Sequence, residues 1–357
     1  MSAPFAFLVH PRTRLAQDLA RAWRPLGRIP EPWVDAAVRR LPLPPYAMAR
    51  VHLDAPTSAG SGRSPVGHIV LVPFGARHML AEPGEARRRV EQAVDRAAAL
   101  GAGVVGLGAL TATVTAGGVA LRGRTDVGVT NGNAFTAAIV DDQVRGVLDG
   151  LDGWRTRRVA VVGATGSVGT TLVRLLARDR VVDELTLVAR ARPRLEALAA
   201  GTGVPTRVAT DLRAVRDADV VVLLTAAADA LLAPEHLGEG AVVVDATQPR
   251  NSDPSLLVAR PDVTVVDGGV VAVPGLHLRG GDIGLPAGRA YACLAETALL
   301  GLSGHAGHFS IGVPTLEQVD HVRALARARV GFEPAPPTSF GSPLVTAGVP
   351  AVSGAVR

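Results

Sequence analysis

Two patterns of hydrophobic and polar positions divide the chain near residue 157. From Arg157 onward, continuous runs of β-branched residues alternate with amphipathic helical segments. Short apolar runs that alternate with helices are typical of parallel strands buried on both faces. The pattern predicts a doubly wound sheet built from RRVAVVG (157–163), SVGTTLVRLLARD (167–179), ELTLVAR (184–190), PRLEALAAG (193–201), DADVVVLLTAA (217–227), GAVVVDAT (240–247) and DVTVVDGG (262–269).

The first 152 residues mix strand-like and helix-like patterns without a regular repeat. A stretch rich in Pro, Gly and Ser, residues 54–65, separates the earliest elements from the rest. The turn Asn131-Gly132-Asn133 precedes a helical pattern, and it is expected to leave backbone N–H groups free. The predicted elements are strands at 5–10 and 68–74 and within 119–130, and helices at 13–23, at 83–102 and, after the turn, within 134–150.

Beyond the sheet the pattern becomes helical again. A helix is expected to begin near Pro286 or Ala287 and to carry Cys293, and a second amphipathic helix spans 316–332. From Glu333 the chain is rich in Pro, Ala and Gly, which predicts a flexible tail. The predicted fold class is α/β: a doubly wound parallel (Rossmann) sheet with a separate N-terminal α/β domain and C-terminal helices. The expected segments are an N-terminal domain at 1–152, a Rossmann domain at 153–286, C-terminal helices at 287–334 and a tail at 335–357.

Composition excludes several kinds of chemistry. The chain has 357 residues, of which 48% are hydrophobic and 19% charged, enough apolar material for two folded domains. One cysteine excludes an internal disulfide and a cysteine-based zinc site. All 37 basic residues are arginine. The chain therefore lacks the lysine of a Schiff base, of a P-loop and of the Tyr-Lys pair in short-chain dehydrogenases.

The net charge of +5 is compatible with anionic partners. No basic run is interleaved with aromatic residues, so nucleic acid is not an expected partner. An uncharged run at 101–121 contains six glycines and three threonines, which favours buried strands and turns over a membrane span. No signal-peptide pattern opens the sequence, so the expected location is the cytoplasm, with peripheral contact to a membrane left open. Oligomeric state is not predicted.

A glycine-rich loop is the strongest local motif. VAVVGATGSVGTTLVRLL places three glycines between a predicted strand and a predicted helix. In a dinucleotide fold the first permits a tight turn, the second lets the backbone approach the pyrophosphate, and the third lets the helix pack closely. A tight turn without a ligand is the alternative, but the flanking strand and helix favour dinucleotide binding. The expected cofactor-binding residues are Gly163, Thr165, Gly166, Ser167, Val168 and Gly169, with Thr225 after a later strand.

The end of the next strand indicates which dinucleotide binds. Enzymes that use NAD usually carry Asp or Glu there, whereas this chain has Arg190 and Arg192. Guanidinium groups suit the 2′-phosphate of NADP through charge-assisted hydrogen bonds. NADPH is therefore expected over NADH, the alternative being that both arginines only face solvent.

Cys293 is the candidate nucleophile. A buried structural thiol is the common alternative for a free cysteine. Its position early in a helix, where the dipole is expected to lower the thiol pKa, favours a catalytic role. So does its place directly after the last strands of the cofactor domain. A thiolate beside NADPH suggests acyl transfer to sulfur followed by reduction of the thioester to an aldehyde.

The chain resembles the long-chain acyl-ACP reductases, which make fatty aldehydes in bacterial alkane synthesis. The resemblance implies that Cys293 is the acylated nucleophile. It also implies that acyl-ACP or acyl-CoA plus NADPH gives a fatty aldehyde, a free thiol and NADP⁺, with residues 1–152 as the acyl and ACP domain. The matching motifs are TNGNAFTAAIV (130–140), VGATGSVG (162–169), ELTLVARARPRLEAL (184–198), YACLAETALL (291–300), HFSIG (308–312) and VGFEP (330–334).

Some features leave alternatives open. Phe135 replaces a histidine of the family pattern, and His305 replaces a tryptophan, which bears on the acyl pocket. Glu296, one turn from Cys293, suits either a supporting role at the site or a capping carboxylate. His305 and His308 lack a third ligand, so no metal site is expected. The competing functions are a semialdehyde or acyl-phosphate dehydrogenase and a non-catalytic NADP-binding regulator.

Overall fold

The structure is a computed structural model, and it describes residues 5–11, 25, 28–41, 43–54, 66–151, 156–227, 230–329 and 331–344. The helix predicted at 13–23 lies outside these residues. Every helix that the described residues form is too short or too polar to cross a membrane.

The strands are numbered in chain order. They are β1 Phe5–Val9, β2 Tyr46–Leu53, β3 Gly67–Leu71, β4 Val104–Leu107, β5 Gly128–Thr130, β6 Arg158–Val162, β7 Glu184–Val188, β8 Thr206–Ala209, β9 Val220–Leu223, β10 Val242–Asp245, β11 Thr264–Asp267, β12 Val270–Ala272, β13 Leu276–Gly280, β14 Arg289–Tyr291, β15 Glu333–Pro334, β16 Thr338–Ser339 and β17 Ser342–Pro343.

The α-helices are numbered in the same way, and short 3₁₀ turns lie at Val119–Leu121, Leu212–Asp217 and Pro234–His236. The helices are α1 Glu31–Arg40, α2 Ala76–Ala81, α3 Pro83–Ala99, α4 Leu110–Val114, α5 Asn133–Asp149, α6 Ser167–Arg178, α7 Arg192–Ala200, α8 Ser255–Ala259, α9 Ala292–Leu302 and α10 Leu316–Arg327.

The first of two compact units comprises Met1–Phe135, Val271–Gly312 and Asp320–Phe332. It contains a six-stranded sheet in the order β13-β2-β3-β1-β4-β5. Strands β1, β3, β4 and β5 are parallel, whereas β2 runs antiparallel to β3, and β13 antiparallel to β2.

Helices pack on both faces of this first sheet. Ala6 and Leu8 of β1 lie in one buried cluster with Val90 and Val94 of α3. On the opposite face, a Cβ atom built on Gly106 of β4 would overlap the side chain of Thr297 in α9. Helix α9, which carries Cys293, therefore approaches β4 closely enough to require a glycine in the strand.

The second unit comprises Thr136–Val270, Val313–Val319 and Glu333–Arg357. Its sheet has the order β11-β10-β9-β6-β7-β8, and all of its strands are parallel. In chain order this is the 3-2-1-4-5-6 arrangement of dinucleotide-binding sheets, in which the order reverses between the first and fourth strands, here β6 and β9. The predicted doubly wound α/β sheet is confirmed.

Alternate residues of the second sheet fill separate cores on its two faces. Val159 and Val161 of β6 lie in a buried cluster with Leu172 and Val173 of α6. Ala160 and Val162 lie in another cluster with Leu256 of α8. Burial on both faces explains why these strands read as continuous apolar runs in the sequence.

The start of the helix that carries Cys293 differs from its prediction. α9 begins at Ala292, and the preceding residues Arg289–Tyr291 form β14. Gly288 has a φ of 77°, which right-handed helix does not allow. The expected start near Pro286 or Ala287 was therefore wrong, and Cys293 is the second residue of the helix.

The C-terminal residues that the structure describes are folded against the second unit. Part of the segment expected to be a tail forms β16 and β17, which pair as a two-stranded hairpin. Asp267, at the end of β11, accepts hydrogen bonds from the Thr338 hydroxyl (2.7 Å) and from the backbone N–H of Gly341 (2.8 Å). The segment boundaries predicted at 152, 286 and 334 remain predictions.

Candidate active site

Cys293 lies in the first turn of α9, directly after the N-cap Tyr291 and Ala292. Its side chain is partly exposed. The backbone amides of Leu294 and Cys293 favour the thiolate form and act to lower the thiol pKa. Amides of a first helical turn have no partner within the helix, so they are available to a sulfur anion at this position.

Burial nevertheless has the largest effect on the thiol pKa. Burial, together with the nearby Glu296 carboxylate, raises the pKa of Cys293 to about 12. The two backbone amides oppose this shift without overcoming it. The sequence-based expectation of a lowered pKa was wrong, because desolvation outweighs the helix dipole here. Cys293 is therefore expected to be a protonated thiol at neutral pH.

Gly132 lies against the cysteine. A Cβ atom built on Gly132 would overlap both Cα and Cβ of Cys293. The φ angle of Gly132 is 72°, in the left-handed region that favours glycine. Both the space and the backbone conformation at position 132 therefore require a residue without a side chain.

Glu296 connects the cysteine helix to the start of α5. Its side chain is fully buried. It accepts a hydrogen bond from the Thr130 hydroxyl and another from the backbone N–H of Phe135 at 2.7 Å. Burial raises its pKa to about 7, and hydrogen bonds from Thr130 and from the amides of Phe135, Ala134 and Gly132 limit the rise. Glu296 is thus a buried capping carboxylate, one of the two roles left open by the sequence.

These contacts also correct the expectation of free amides in the Asn131-Gly132-Asn133 turn. The Asn133 N–H donates to the Asn131 side-chain oxygen at 3.0 Å, and the Gly132 N–H donates to the Thr130 hydroxyl at 3.3 Å. The start of α5 is therefore occupied by the protein's own acceptors.

Asn131 ties this turn to two other segments. Its amide nitrogen donates to the carbonyls of Gly117 (3.0 Å) and Gly312 (2.9 Å). Its oxygen accepts a hydrogen bond from the Ser310 hydroxyl at 2.7 Å. Asn131 and Ser310 are both buried. The side chain uses its donors and acceptor fully, which fixes the turn that carries Gly132.

The two residues that depart from the family pattern have plain structural roles. Phe135 is almost fully buried, at 1% exposure, and it cannot exchange a proton as a histidine could. The His305 ring packs edge-on against Phe309, with ring centroids 5.4 Å apart. Nδ1 of His308 accepts the Val129 N–H at 3.1 Å. In the part of the chain that the structure describes, no three His, Cys, Asp or Glu side chains are grouped to hold a metal ion.

The glycine loop of the second unit forms the expected cradle between β6 and α6. Gly163 has a φ of 88°, and a Cβ on it would overlap the carbonyl of Leu224. A Cβ on Gly169 would overlap the Gly163 carbonyl, which confirms its role in close packing of helix on turn. Gly166 is exposed at the N-cap of α6. The loop therefore fits a dinucleotide pyrophosphate, and Thr165, Ser167 and Val168 lie in or beside it.

Three arginines lie beyond the end of β7, and all three are exposed. Arg192 forms an ion pair with Glu196 at 2.9 Å on the surface of α7. Arg194, which the sequence did not single out, donates to the carbonyl of Thr165 in the glycine loop at 3.2 Å. Arg190 remains the third cation of the group. Arg194 could have been found from its position in the first turn of the helix that follows the second strand.

Thr225 follows β9, the strand next to β6 at the point where the strand order reverses. A Cβ on Gly163 would approach the Thr225 backbone nitrogen at 3.0 Å, so the two segments are adjacent. The Thr225 hydroxyl hydrogen-bonds to the side chain of Asn251. The loop carrying Asn251 is held by Asp245, which accepts the Asn251 N–H at 3.0 Å. Thr225 is therefore placed at the strand ends where dinucleotides bind.

Comparison with known proteins agrees with this nucleotide site. Residues 158–277 match the family described as "Semialdehyde dehydrogenase, NAD binding domain". Together with the glycine cradle, this match shows a unit that binds a nicotinamide dinucleotide.

The alignments with two curated relatives extend beyond residues 158–277. The aminotransferase PigE of Serratia sp. is 28% identical over 297 residues, which cover 80% of this chain and 34% of PigE. The long-chain acyl-[acyl-carrier-protein] reductase of Synechococcus elongatus is 30% identical over 214 residues, covering 57% of this chain and 61% of that protein. The alignments thus span about a third and three fifths of these relatives.

Among solved structures, the L-tryptophan dehydrogenase of Nostoc punctiforme is similar at 15% identity and a TM-score of 0.34. That match covers 72% of this chain and 68% of the dehydrogenase. Likeness at this level carries no inference about activity.

Proposed function

We propose that the protein is an NADPH-dependent reductase that converts an acyl thioester to an aldehyde through an acyl group on Cys293. The observation that carries the proposal is the setting of this thiol. Cys293 is partly exposed in the first turn of α9, the backbone amides of Leu294 and Cys293 favour its thiolate form, and it lies against Gly132. A purely structural cysteine needs none of these features.

In the first step the Cys293 sulfur attacks the thioester carbonyl. A new C–S bond forms, the bond to the donor's sulfur breaks, and the donor leaves as a free thiol that takes up the proton lost by Cys293. The amides of Leu294 and Cys293 stabilise negative charge on the cysteine sulfur while that proton is in transit. Burial raises the pKa of the Cys293 thiol, and the amides oppose that rise.

In the second step the acyl group leaves Cys293 as aldehyde. The nicotinamide, when bound, supplies a hydride to the acyl carbon. The C–S bond then breaks, the electron pair returns to sulfur, and Cys293 regains a proton. The same two amides favour departure of the sulfur, because they stabilise the leaving thiolate.

NADPH is the proposed form of the cofactor. Arg190, Arg192 and Arg194 lie beyond the end of β7, where an NAD-specific chain carries a carboxylate. Arg194 already bonds to the glycine loop through Thr165. The three guanidinium groups place positive charge where the 2′-phosphate of NADP is expected.

The proposed acyl donor is a long-chain acyl-ACP, in which the acyl group is carried by acyl carrier protein, and acyl-CoA is the alternative donor. The relative from Synechococcus elongatus is named for the acyl-carrier-protein substrate, and its similarity supports this choice. The cytoplasm is the proposed location.

A semialdehyde or acyl-phosphate dehydrogenase is the second candidate, because the family match over residues 158–277 carries that description. The match ends before Cys293, so it does not extend to the candidate nucleophile. The six-stranded sheet of the first unit, built largely from residues that precede the glycine loop, is an element that this family match does not cover.

One experiment separates these functions. Purified protein is incubated with NADPH and, in parallel, with palmitoyl-ACP, palmitoyl-CoA and an acyl phosphate, and aldehyde is trapped as a hydrazone and measured. We expect aldehyde from a thioester and none from the Cys293→Ser variant. Aldehyde from the acyl phosphate alone would favour the second candidate. NADPH binding without aldehyde from any donor would favour a non-catalytic regulator.

A further inference from the structure

A row of two arginines and a histidine crosses three strands of the first unit. Arg279 of β13 lies directly opposite Arg50 of β2, and Arg50 lies directly opposite His68 of β3. Directly paired residues share a face of the sheet, with Cβ atoms about 5 Å apart. Both arginines are exposed, and His68 is partly exposed.

A pair of histidines lies beside this row. His277 and His52 pair across β13 and β2, two residues along from Arg279 and Arg50, and therefore on the same face. Their rings stack with centroids 5.2 Å apart. His277 contacts Asp54 at 3.4 Å.

The row lacks compensating charge. Like charges directly opposite on neighbouring strands destabilise a sheet. Among the described residues, no carboxylate forms an ion pair with Arg50, Arg279 or the nearby Arg96 of α3. Residues 55–65, which link β2 to β3, contain no Asp or Glu in their sequence.

The positive charge around His68 affects its pKa. Burial lowers its pKa, and the charges of Arg50 and Arg96 lower it further. Its Nδ1 atom is buried and has no hydrogen-bond partner among the described residues. An anion bound beside His68 would offset the positive charges of Arg50 and Arg96 that lower the His68 pKa.

Protection of a sheet edge explains only part of this arrangement. β13 is an edge strand, and an exposed arginine on an edge discourages pairing with another chain. β2 and β3 are interior strands of the same sheet. Edge protection therefore accounts for Arg279 but not for Arg50, Arg96 and His68 gathered beside it.

We propose that Arg279, Arg50 and His68 form a binding site for a small phosphate-bearing anion, with Arg96 contributing charge from α3. Guanidinium groups on adjacent strands donate bidentate hydrogen bonds to phosphate oxygens. A bound phosphate removes the repulsion between the paired arginines and raises the pKa of His68. The ligand is a free phosphate or diphosphate metabolite, or the phosphates of coenzyme A. A free phosphate or diphosphate ligand is independent of the proposed reductase function, whereas coenzyme A would belong to the alternative donor of that function.

The test uses the whole protein saturated with NADPH, so that the glycine loop is already filled. Pyrophosphate is titrated at constant ionic strength while the ¹H–¹³C NMR resonance of the His68 ring is followed, with His68→Gln as the assignment control. We expect a saturable shift toward the protonated position. The double variant Arg50→Gln/Arg279→Gln should weaken the apparent affinity at least tenfold. The matched double variant Arg40→Gln/Arg122→Gln, which removes two exposed charges elsewhere in the unit, should leave it unchanged.

Two further titrations distinguish the sources. A shift with coenzyme A that is lost with dephospho-coenzyme A identifies the 3′-phosphate as the ligand group. Equal shifts with both identify the diphosphate group, which free metabolites share. A His68 resonance that does not respond to pyrophosphate would overturn the proposal. So would an unsaturable response, or one that is equal in the Arg50→Gln/Arg279→Gln variant.

Discussion

Gly132 packs so closely on Cys293 that one added methyl group at position 132 would overlap the cysteine backbone. The two residues belong to the starts of different helices, α5 and α9, and Glu296 holds these starts together through Thr130 and Phe135. The position of the candidate nucleophile is therefore set by a glycine contact on one side and a buried carboxylate one turn away.

The Gly132→Ala variant tests this contact. We expect loss of at least ten-fold in the rate of Cys293 acylation, together with destabilisation of about 2 kcal/mol or more, because the φ of 72° strains alanine and the methyl group displaces Cys293. Acylation is measured by mass spectrometry and stability by urea unfolding. Gly123→Ala is the matched control, since nothing lies within 4 Å of a Cβ at that position. Equal behaviour of the two variants would contradict the account.

Glu296 should give the stability of the protein a distinct pH dependence. Its pKa in the fold is about 7, above the ordinary 4.5, so the folded protein binds this proton more tightly than the unfolded chain. This contribution is complete below pH 4.5 and is lost as the pH rises through 7, a change of about 3 kcal/mol. The Glu296→Gln variant cannot titrate. The difference in unfolding free energy between wild type and variant should therefore fall from pH 5 to pH 8.

Urea unfolding at both pH values measures that difference, and Glu239→Gln, at an exposed carboxylate, serves as the control. A wild-type advantage over Glu296→Gln that stays constant between pH 5 and pH 8 would show that the carboxylate is not held as described.

The thiol should react slowly with alkylating agents at neutral pH. With the pKa of Cys293 near 12, the rate of alkylation by iodoacetamide should rise about tenfold per pH unit from pH 7 to pH 10 without a plateau. Glu296 contributes to this raised pKa through its charge, so Glu296→Gln should react several-fold faster at pH 8. A plateau below pH 9 in the wild type would mean that the amides of α9 outweigh burial after all.

Cofactor binding depends on the glycine loop. In Gly169→Ala the added Cβ overlaps the Gly163 carbonyl, which pushes α6 away from the turn. NADPH affinity, measured by fluorescence titration, should fall at least tenfold. Gly201→Ala, where a Cβ meets only the Leu198 carbonyl at 3.6 Å, should bind NADPH normally. Unchanged affinity in Gly169→Ala would place the dinucleotide elsewhere.

The arginines beyond β7 should determine cofactor preference. Replacing Arg190 and Arg192 together with Gln removes the charges proposed to meet the 2′-phosphate, and Arg194→Gln removes the third. We expect NADPH to bind at least tenfold more weakly to the double variant, with NADH affinity unchanged. Equal losses for both cofactors would mean that these arginines hold the loop instead of selecting the phosphate.

The cofactor sheet was predictable because its strands and helices can be recognised from short, contiguous stretches of sequence. Continuous apolar runs such as Val220–Leu223 are buried along their whole length. The runs Arg158–Val162 and Glu184–Val188 are each followed by a helix within about five residues. The role of Gly169 followed from the same local pattern. The strand pairing of the first unit was not predictable in this way, because β13 joins β2 across more than two hundred residues of sequence. Nothing near His277 indicates that His52 is its partner.

The candidate nucleophile was identified by elimination and resemblance, but its environment was not. A helix dipole can be inferred from sequence. The burial of Cys293 and the charge of Glu296, which raise the thiol pKa, depend on the folded structure. The capping role of Glu296 likewise depends on Thr130 and Phe135, about 160 positions earlier in the chain. Such contacts exist only after both helix starts have been brought together.

The central claim is that Cys293 carries the acyl group, and intact mass spectrometry tests it most directly. Protein is mixed with palmitoyl-ACP or palmitoyl-CoA in the absence of NADPH, beside a Cys293→Ala control. The account predicts a mass increase of one palmitoyl group on the wild type, none on the control, and its discharge as aldehyde when NADPH is added. A wild-type protein that gains no acyl group from either donor, or a Cys293→Ala variant that gains one equally, would contradict it.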